Sequence, residues 1–162
     1  MDEASNVAFM QLALEQAQLA AELGEVPVGA VVVLGGEVVT AAHNRREVDA
    51  SPSAHAEFLA LSEAARKLGR WRLSDCTVYV TLEPCLMCAG LMLQARIGRC
   101  VFGAFDPKAG ALGSLYRVHE DTRLNHTFEV EGGVCAEESA NLLSRFFLQL
   151  RTRGDIMSQP KK

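Results

Sequence analysis

The stretch Thr81-Leu82-Glu83-Pro84-Cys85-Leu86-Met87-Cys88 constrains this chain more than any other. It follows a β-like run, Cys76 to Val80, and leads into a helix-like run, Ala89 to Ala95. That arrangement predicts a strand passing directly into a helix whose first turn carries both cysteines. Pro84 suits the first helical position, because its missing N–H would have no partner inside the helix. The partial positive charge of a helix N-terminus favours thiolate over thiol. Two thiolates at this spacing can share one metal ion. The spacing alone equally allows a thioredoxin-like redox pair or two unpaired core cysteines.

A second group upstream narrows the choice. Ser53-Ala54-His55-Ala56-Glu57 follows Pro52 and predicts another helix, running to Leu68 with Ser53 as its N-cap. Two residues apart on a helix, His55 and Glu57 point in different directions, so one is placed to bind metal and the other to reach the metal's open side. One His and two Cys leave the fourth tetrahedral position free, the mark of a catalytic rather than a structural zinc. Glu57 then has the work of carrying protons between a water and a substrate. Without the cysteines, His55 would be an ordinary helix-start histidine and Glu57 a first-turn acid favoured by the helix dipole.

With 49% hydrophobic and 22% charged residues, the chain falls among globular proteins and outside the disordered and fibrous classes. Its length suits one domain, expected over 1–154, with a disordered tail over 155–162. No signal-peptide pattern stands at the start, and the longest apolar run, Val28 to Leu34, is far below the ~20 residues of a membrane span. The expectation is a cytoplasmic protein with no membrane association. There Cys76, Cys100 and Cys135 are most simply buried thiols. The net charge of −4 weighs against a broadly basic nucleic-acid surface. Arg145, Arg151, Arg153, Lys161 and Lys162 nevertheless gather near the C-terminus, and a protein that takes one loop into a pocket needs only a local basic rim.

Around these motifs the chain reads as alternating elements. Ser5 to Leu23 predicts an amphipathic helix with Phe9, Leu12, Ala13, Gln16, Leu19, Ala20 and Leu23 on its inner face. Val28–Leu34 and Glu37–Ala42 predict a hairpin through Gly35-Gly36, the first strand central and the second near an edge. Asn44 follows. Its amide offers a donor and an acceptor suited to a purine edge, though Asn is also common after strands. Arg45 and Arg46 read equally as phosphate contacts or plain surface. Arg99–Gly103 predicts a fourth strand, parallel to the third because a helix separates them. Residues 104–126 lack periodicity, and a segment this long in a small domain is usually functional. Its Phe105 suits base stacking or a cover for the core, Asp106 a ligand contact or a turn, and Lys108 a phosphate. A fifth strand over Thr127–Val130 and a last helix over Cys135–Arg151 follow. In that helix Ala136, Ala140, Leu143, Phe147 and Leu150 are expected inward, with Phe146 about 100° away and partly exposed.

His-x-Glu combined with Pro-Cys-x-x-Cys is the signature of the zinc deaminases. Val26-Pro27-Val28-Gly29-Ala30, Ala54-His55-Ala56-Glu57, Thr81 to Gly90, Phe102 to Lys108, Gly113-Ser114-Leu115, Asn125-His126 and Phe146-Phe147 stand in an order that resembles bacterial tRNA-specific adenosine deaminases. The resemblance covers roughly residues 7 to 151. It implies a three-layer α/β/α fold of the cytidine deaminase type. Its five-stranded mixed sheet has the order 2-1-3-4-5, with the first two strands antiparallel and the rest parallel. It implies hydrolytic conversion of the wobble adenosine of a tRNA anticodon to inosine, with one Zn2+ per subunit on His55, Cys85 and Cys88 and Glu57 as proton shuttle. By the same resemblance Asn44 contacts the base, and Val28, Leu82 and Ala56 shape the pocket. Phe105, Asp106, Lys108, Asn125, His126 and Phe146 become candidate substrate contacts, and the family usually works as a homodimer. A guanine or other free nucleobase or nucleoside deaminase is the alternative, since guanine deaminases share both motifs. A zinc-stabilised binding protein without catalysis is a third reading, against which Glu57 and the open fourth position stand.

Overall fold

Strand β1 (Gly29–Leu34) is buried along nearly its whole length, as an all-apolar strand must be. In this computed structural model, which describes the chain from Met1 to Ser158 apart from the side chains of 155–158, β1 lies inside a five-stranded sheet. It pairs antiparallel with β2 (Glu37–His43). Gly35 and Gly36 make the turn between them, both at positive φ where a side chain would be strained. On its other side β1 pairs with β3 (Cys76–Leu82), again antiparallel. Parallel pairing begins only there, from β3 to β4 (Arg99–Ala104) and from β4 to β5 (Glu129–Gly132). The order is β2-β1-β3-β4-β5, as expected.

Alternation along the strands sends side chains to two cores. Val31, Val33, Tyr79 and Val101 meet α1 (Glu3–Glu22) and α4 (Ala136–Ser158) on one face. Ala30, Val32, Val78, Val80, Cys100 and Phe102 meet α2 (Ala56–Leu68) and α3 (Leu86–Gln94) on the other. The result is the three-layer α/β/α architecture. The thiols of Cys76 and Cys100 lie buried within it, whereas Cys135 is only half-buried, at a positive φ of 54° just before α4.

Two helices sit rotated from the faces that periodicity gave them. α1 buries Met10, Ala13, Leu14, Ala17 and Ala20 and leaves Leu12, Leu19 and Leu23 exposed. The reason is backbone contact: a Cβ on Gly29 would lie 2.0 Å from the Ala13 carbonyl oxygen. Ala13, Ala17 and Ala20 let helix and strand approach that closely, with Met10 and Leu14 packed to the side and Leu12 and Leu19 turned outward. Its N-cap is Asp2, which accepts from the Ser5 N–H at 2.9 Å, rather than Ser5 itself. α4 likewise approaches β4 at Ser139, which is buried against Gly103. Leu142, Leu143 and Phe146 then turn inward, and Phe147 is 43% exposed, the reverse of the expected pair. α4 also continues through Gly154 to Ser158. A helical glycine costs only about 1 kcal/mol and stops nothing by itself; residues 159–162, part of the expected tail, lie outside the described residues.

Candidate active site

Two helix N-termini meet at the C-terminal ends of β3 and β4. β3 ends at Leu82, Glu83 and Pro84 cross to α3, and Cys85 is the N-cap, with extended φ −76° and ψ 175°. Pro84 therefore precedes the cap rather than opening the helix. Cys88 sits in the first turn. α2 starts later than expected, at Ala56, with His55 as its N-cap at φ −78° and ψ 149°. Ser53 instead pairs with Ser51, hydroxyl to hydroxyl, at 3.2 Å. His55 makes no capping bond, so its ring is free to face the cysteines.

His55 Nδ1 lies 3.7 Å from Cys85 Sγ and 3.5 Å from Cys88 Sγ. One donor atom from each of the three residues falls within 4.8 Å of the others. These groups are close enough to share protons. A hydrogen bond from Cys88, reinforced by His55, holds the Cys85 thiol down at about 3. The same bond pushes the Cys88 thiol far up, with burial adding to it. The hydrogen bond to Cys85 raises His55. One imidazole and two thiols competing for protons in this space are a donor set that a soft or borderline divalent cation would satisfy by displacing those protons.

Glu57, in the first turn of α2, is 4% exposed. Its Oε1 accepts from the Cys88 thiol at 3.1 Å and stands 3.8 Å from His55 Nδ1. Burial pushes its carboxyl up from 4.5 to about 6, against the lowering effect of the Cys88 bond and His55. A carboxyl poised there can hold and release a proton near neutrality.

Above these groups is a cavity of about 180 Å³, lined by apolar Val26, Val28, Ala56, Leu82 and Ala109 and by polar Asn44, Arg46, Glu57, Glu83 and Asp106. It is smaller than the pockets of drug-sized ligands, which start near 300 Å³, and has room for a single heterocycle. Asn44 is held at its mouth: Nδ2 donates to the Val26 carbonyl at 3.2 Å and Oδ1 accepts from the Arg46 N–H at 3.0 Å. One amide hydrogen and one lone pair remain for a ligand. A wider groove of about 960 Å³ opens near the start of β4 and along β5, beside Arg99, Arg117, His119, Glu129 and Glu131. Its charges are mixed, and its lining has one imidazole, His119, and no thiol.

The sequence matches the MafB19-like deaminase family over residues 4–151. It is 49% identical over 145 residues to the tRNA-specific adenosine deaminase of Bacillus subtilis (strain 168), a match covering 90% of each chain. The chain belongs to this deaminase family. The fold of the deaminase is similar to that of a protein solved in a study of A-to-I editing by tRNA deaminases at the wobble position. That match has 43% identity and a TM-score of 0.81, and covers 84% of this chain and 99% of the other. It is also similar to a guanine deaminase from Nitrosomonas europaea, with 25% identity, a TM-score of 0.74, and coverage of 86% and 83%.

The deaminase fold brings Val28, Asn44, Ala56, Leu82 and Asp106 to the cavity with Glu57, His55 and Cys85. It does not bring the other candidates there. Phe105 is exposed and sits edge-on over Phe102, ring centroids 5.0 Å apart. Lys108 is exposed beside it, its N–H donating to Asp106 Oδ1 at 3.0 Å. His126 Nε2 bonds the Ile97 carbonyl at 2.8 Å, before β4 begins. That is about 20 Å from the site at the strand's other end, at ~3.3 Å per residue. Asn125 is exposed next to it, and Phe146 packs edge-on to Phe147 on α4. Arg45 turns to an ion pair with Asp49 at 2.9 Å, while Arg46 reaches the cavity. Sequence reasoning passed over Glu83, Val26 and Ala109. Glu83 stands immediately before Pro-Cys, and that adjacency was the one available signal.

Proposed function

We propose that this deaminase hydrolyses the wobble adenosine of a tRNA anticodon to inosine. The reading is carried by Glu57, a buried carboxylate with a raised pKa beside three soft donors at the floor of a one-ring cavity. Its relationship to tRNA-specific adenosine deaminases supplies the substrate. His55, Cys85 and Cys88 would hold one Zn2+ per subunit, for which imidazole and thiolate are the usual ligands. When bound, zinc supplies a Lewis acid that makes water nucleophilic near neutral pH.

The chain's own residues do the rest. Val28 and Leu82 offer apolar sides to an extruded base, and a loop nucleotide costs less to extrude than a paired one. Asn44 presents its free donor and acceptor to the base edge. Glu57 takes a proton from the attacking water and delivers it to N1 of the adenine. A C–O bond forms at C6; Glu57 then takes the proton of the new C6 hydroxyl and passes it to the exocyclic amine, whose bond to C6 breaks as the C6 carbonyl forms and ammonia departs. Arg46 at the cavity and the exposed Phe105 and Lys108 on the loop after β4 are offered to flanking phosphates and bases. Asp106 shapes the wall. Asn125, His126 and Phe146 have no part in base recognition in this reading.

We also place the protein in the cytoplasm as a homodimer. Among the described residues no helix is long and apolar enough to cross a membrane. Trp71, Leu86 and Met87 leave apolar surface open on the α2–α3 side, and sedimentation equilibrium would report whether two copies cover it. The test of function is inosine formation in an anticodon stem-loop with adenine at the wobble position, by zinc-loaded protein, beside free guanine, adenosine and cytidine. Inosine in the RNA alone supports the proposal. Turnover of guanine with the RNA untouched would replace the substrate, in line with the similar guanine deaminase.

A further inference from the structure

Glu83 is buried, 2% exposed, and points into the segment that follows β4. Its Oε1 accepts from the Asp106 N–H at 3.1 Å and from the Ser114 hydroxyl. Its Oε2 accepts from the N–H groups of Leu112, 3.1 Å, and Ser114, 3.0 Å. Among the described residues no lysine, arginine or histidine forms an ion pair with it. A buried carboxylate is costly unless its oxygens are hydrogen-bonded, and here the donors come from a loop with little regular structure of its own. Gly110 closes against the same group: a Cβ there would lie 2.2 Å from Glu83 Cδ. The loop is thus wound around one carboxylate, and two of its residues, Asp106 and Ala109, line the cavity.

We infer that Glu83 is a positioning residue, which acts through the 105–114 loop to set the cavity wall that receives the base. The inference rests on the deamination reading above for its substrate, and on geometry alone for the loop. Glu83 lines the cavity, but both its oxygens are taken up by the loop, and among the described residues neither bonds Glu57, His55, Cys85 or Cys88. Its removal therefore acts on productive binding and leaves the chemical step and the metal donors in place. Gln at this position turns an acceptor into an N–H2 group facing backbone N–H groups that have no other partner among the described residues, so part of the loop must let go.

The experiment compares wild type, Glu83→Gln and Ser114→Ala, all zinc-loaded. It reads amide hydrogen exchange at Leu112 and Ser114 in the free protein, zinc per chain, and KM and kcat on the anticodon stem-loop. Glu83→Gln is expected to exchange these amides at least about tenfold faster and to raise KM about tenfold, the change that one lost buried hydrogen bond produces. Its zinc content stays at one per chain and its kcat within about threefold of wild type. Ser114→Ala removes one donor and moves exchange and KM the same way by about threefold. Unchanged exchange, or faster exchange with unchanged KM, in zinc-replete Glu83→Gln overturns the inference. Loss of zinc with unchanged KM overturns it too. If Glu83→Gln fails to fold, Ser114→Ala decides by the same criteria. Wild type that leaves the stem-loop untouched defeats the proposed substrate instead, and the exchange ratio still reports whether Glu83 holds the loop.

Discussion

Glu57 and Glu83 face the same cavity and are equally hidden from water, yet their surroundings differ in kind. Glu57 accepts from one thiol and lies beside a histidine, and its burial leaves its proton held to about 6. Glu83 is gripped by three backbone N–H groups and a hydroxyl. A carboxylate surrounded by groups that can themselves exchange protons is suited to chemistry. One surrounded by backbone donors is suited to holding a loop. Burial alone does not separate the two; the kind and number of donors does.

The largest effect expected from this contrast is on turnover. Glu57→Gln keeps shape and removes proton transfer, so kcat on the stem-loop should fall by about 10²–10⁴-fold, with metal content per chain, read by mass spectrometry, unchanged. Turnover at the wild-type rate would erase the distinction. Gly110→Ala strikes the other carboxylate without touching it. The methyl group must displace Glu83 or the loop, and urea denaturation should show a loss of up to about 3 kcal/mol, as overpacking gives. No loss would mean that the loop is slack around Glu83.

A pH test sharpens the Glu57 side. In metal-free protein the folded carboxyl has its pKa at about 6, above its ordinary 4.5. The folded state then binds the proton more tightly than the unfolded one. Stability from this group is fully present below about 4.5 and is lost as pH rises through 6. Chelated Glu57→Gln should therefore gain on chelated wild type between pH 4.5 and pH 7, by about 2 kcal/mol at 1.36 kcal/mol per pH unit. A gap that stays flat with pH would show that Glu57 is better solvated than its burial implies. The smallest effect belongs to Ser114→Ala, which takes one of four donors from Glu83 and should cost about 1 kcal/mol by thermal unfolding.

The parts of this molecule written in local pattern were legible beforehand. Gly35-Gly36 between two apolar runs became the hairpin, and His55, Glu57, Cys85 and Cys88 came together although some thirty residues separate the pairs. Their spacing states a chemical requirement, and the strand-to-helix signals around them fix where they sit. The faces of α1 and α4 were misread because periodicity ranks residues by apolarity. Close packing on Gly29 and Gly103 selects small residues instead. Val28, Asn44 and Leu82 were readable through the family resemblance. Glu83 was not, because its one local signal, its place before Pro84-Cys85, does not distinguish a loop anchor from a turn acid. Its donors arrive from residues 106–114, and only the folded loop shows them. His126 is a motif residue whose ring the fold sets on the Ile97 carbonyl, a partner that local pattern did not name.

His55 and Glu57 belong to the same turn at the head of α2, while Cys85 and Cys88 open α3. The site is therefore two rigid jaws rather than four independent parts. α2 is fixed to the sheet by the Thr40 hydroxyl, which donates to the Ala60 carbonyl at 2.8 Å in the buried layer. Any tilt of one jaw moves the imidazole and the carboxylate together against the sulfur pair. Ligand geometry and proton reach then share a single mechanical degree of freedom. A substitution at Thr40, which never meets the cavity, would detune both at once.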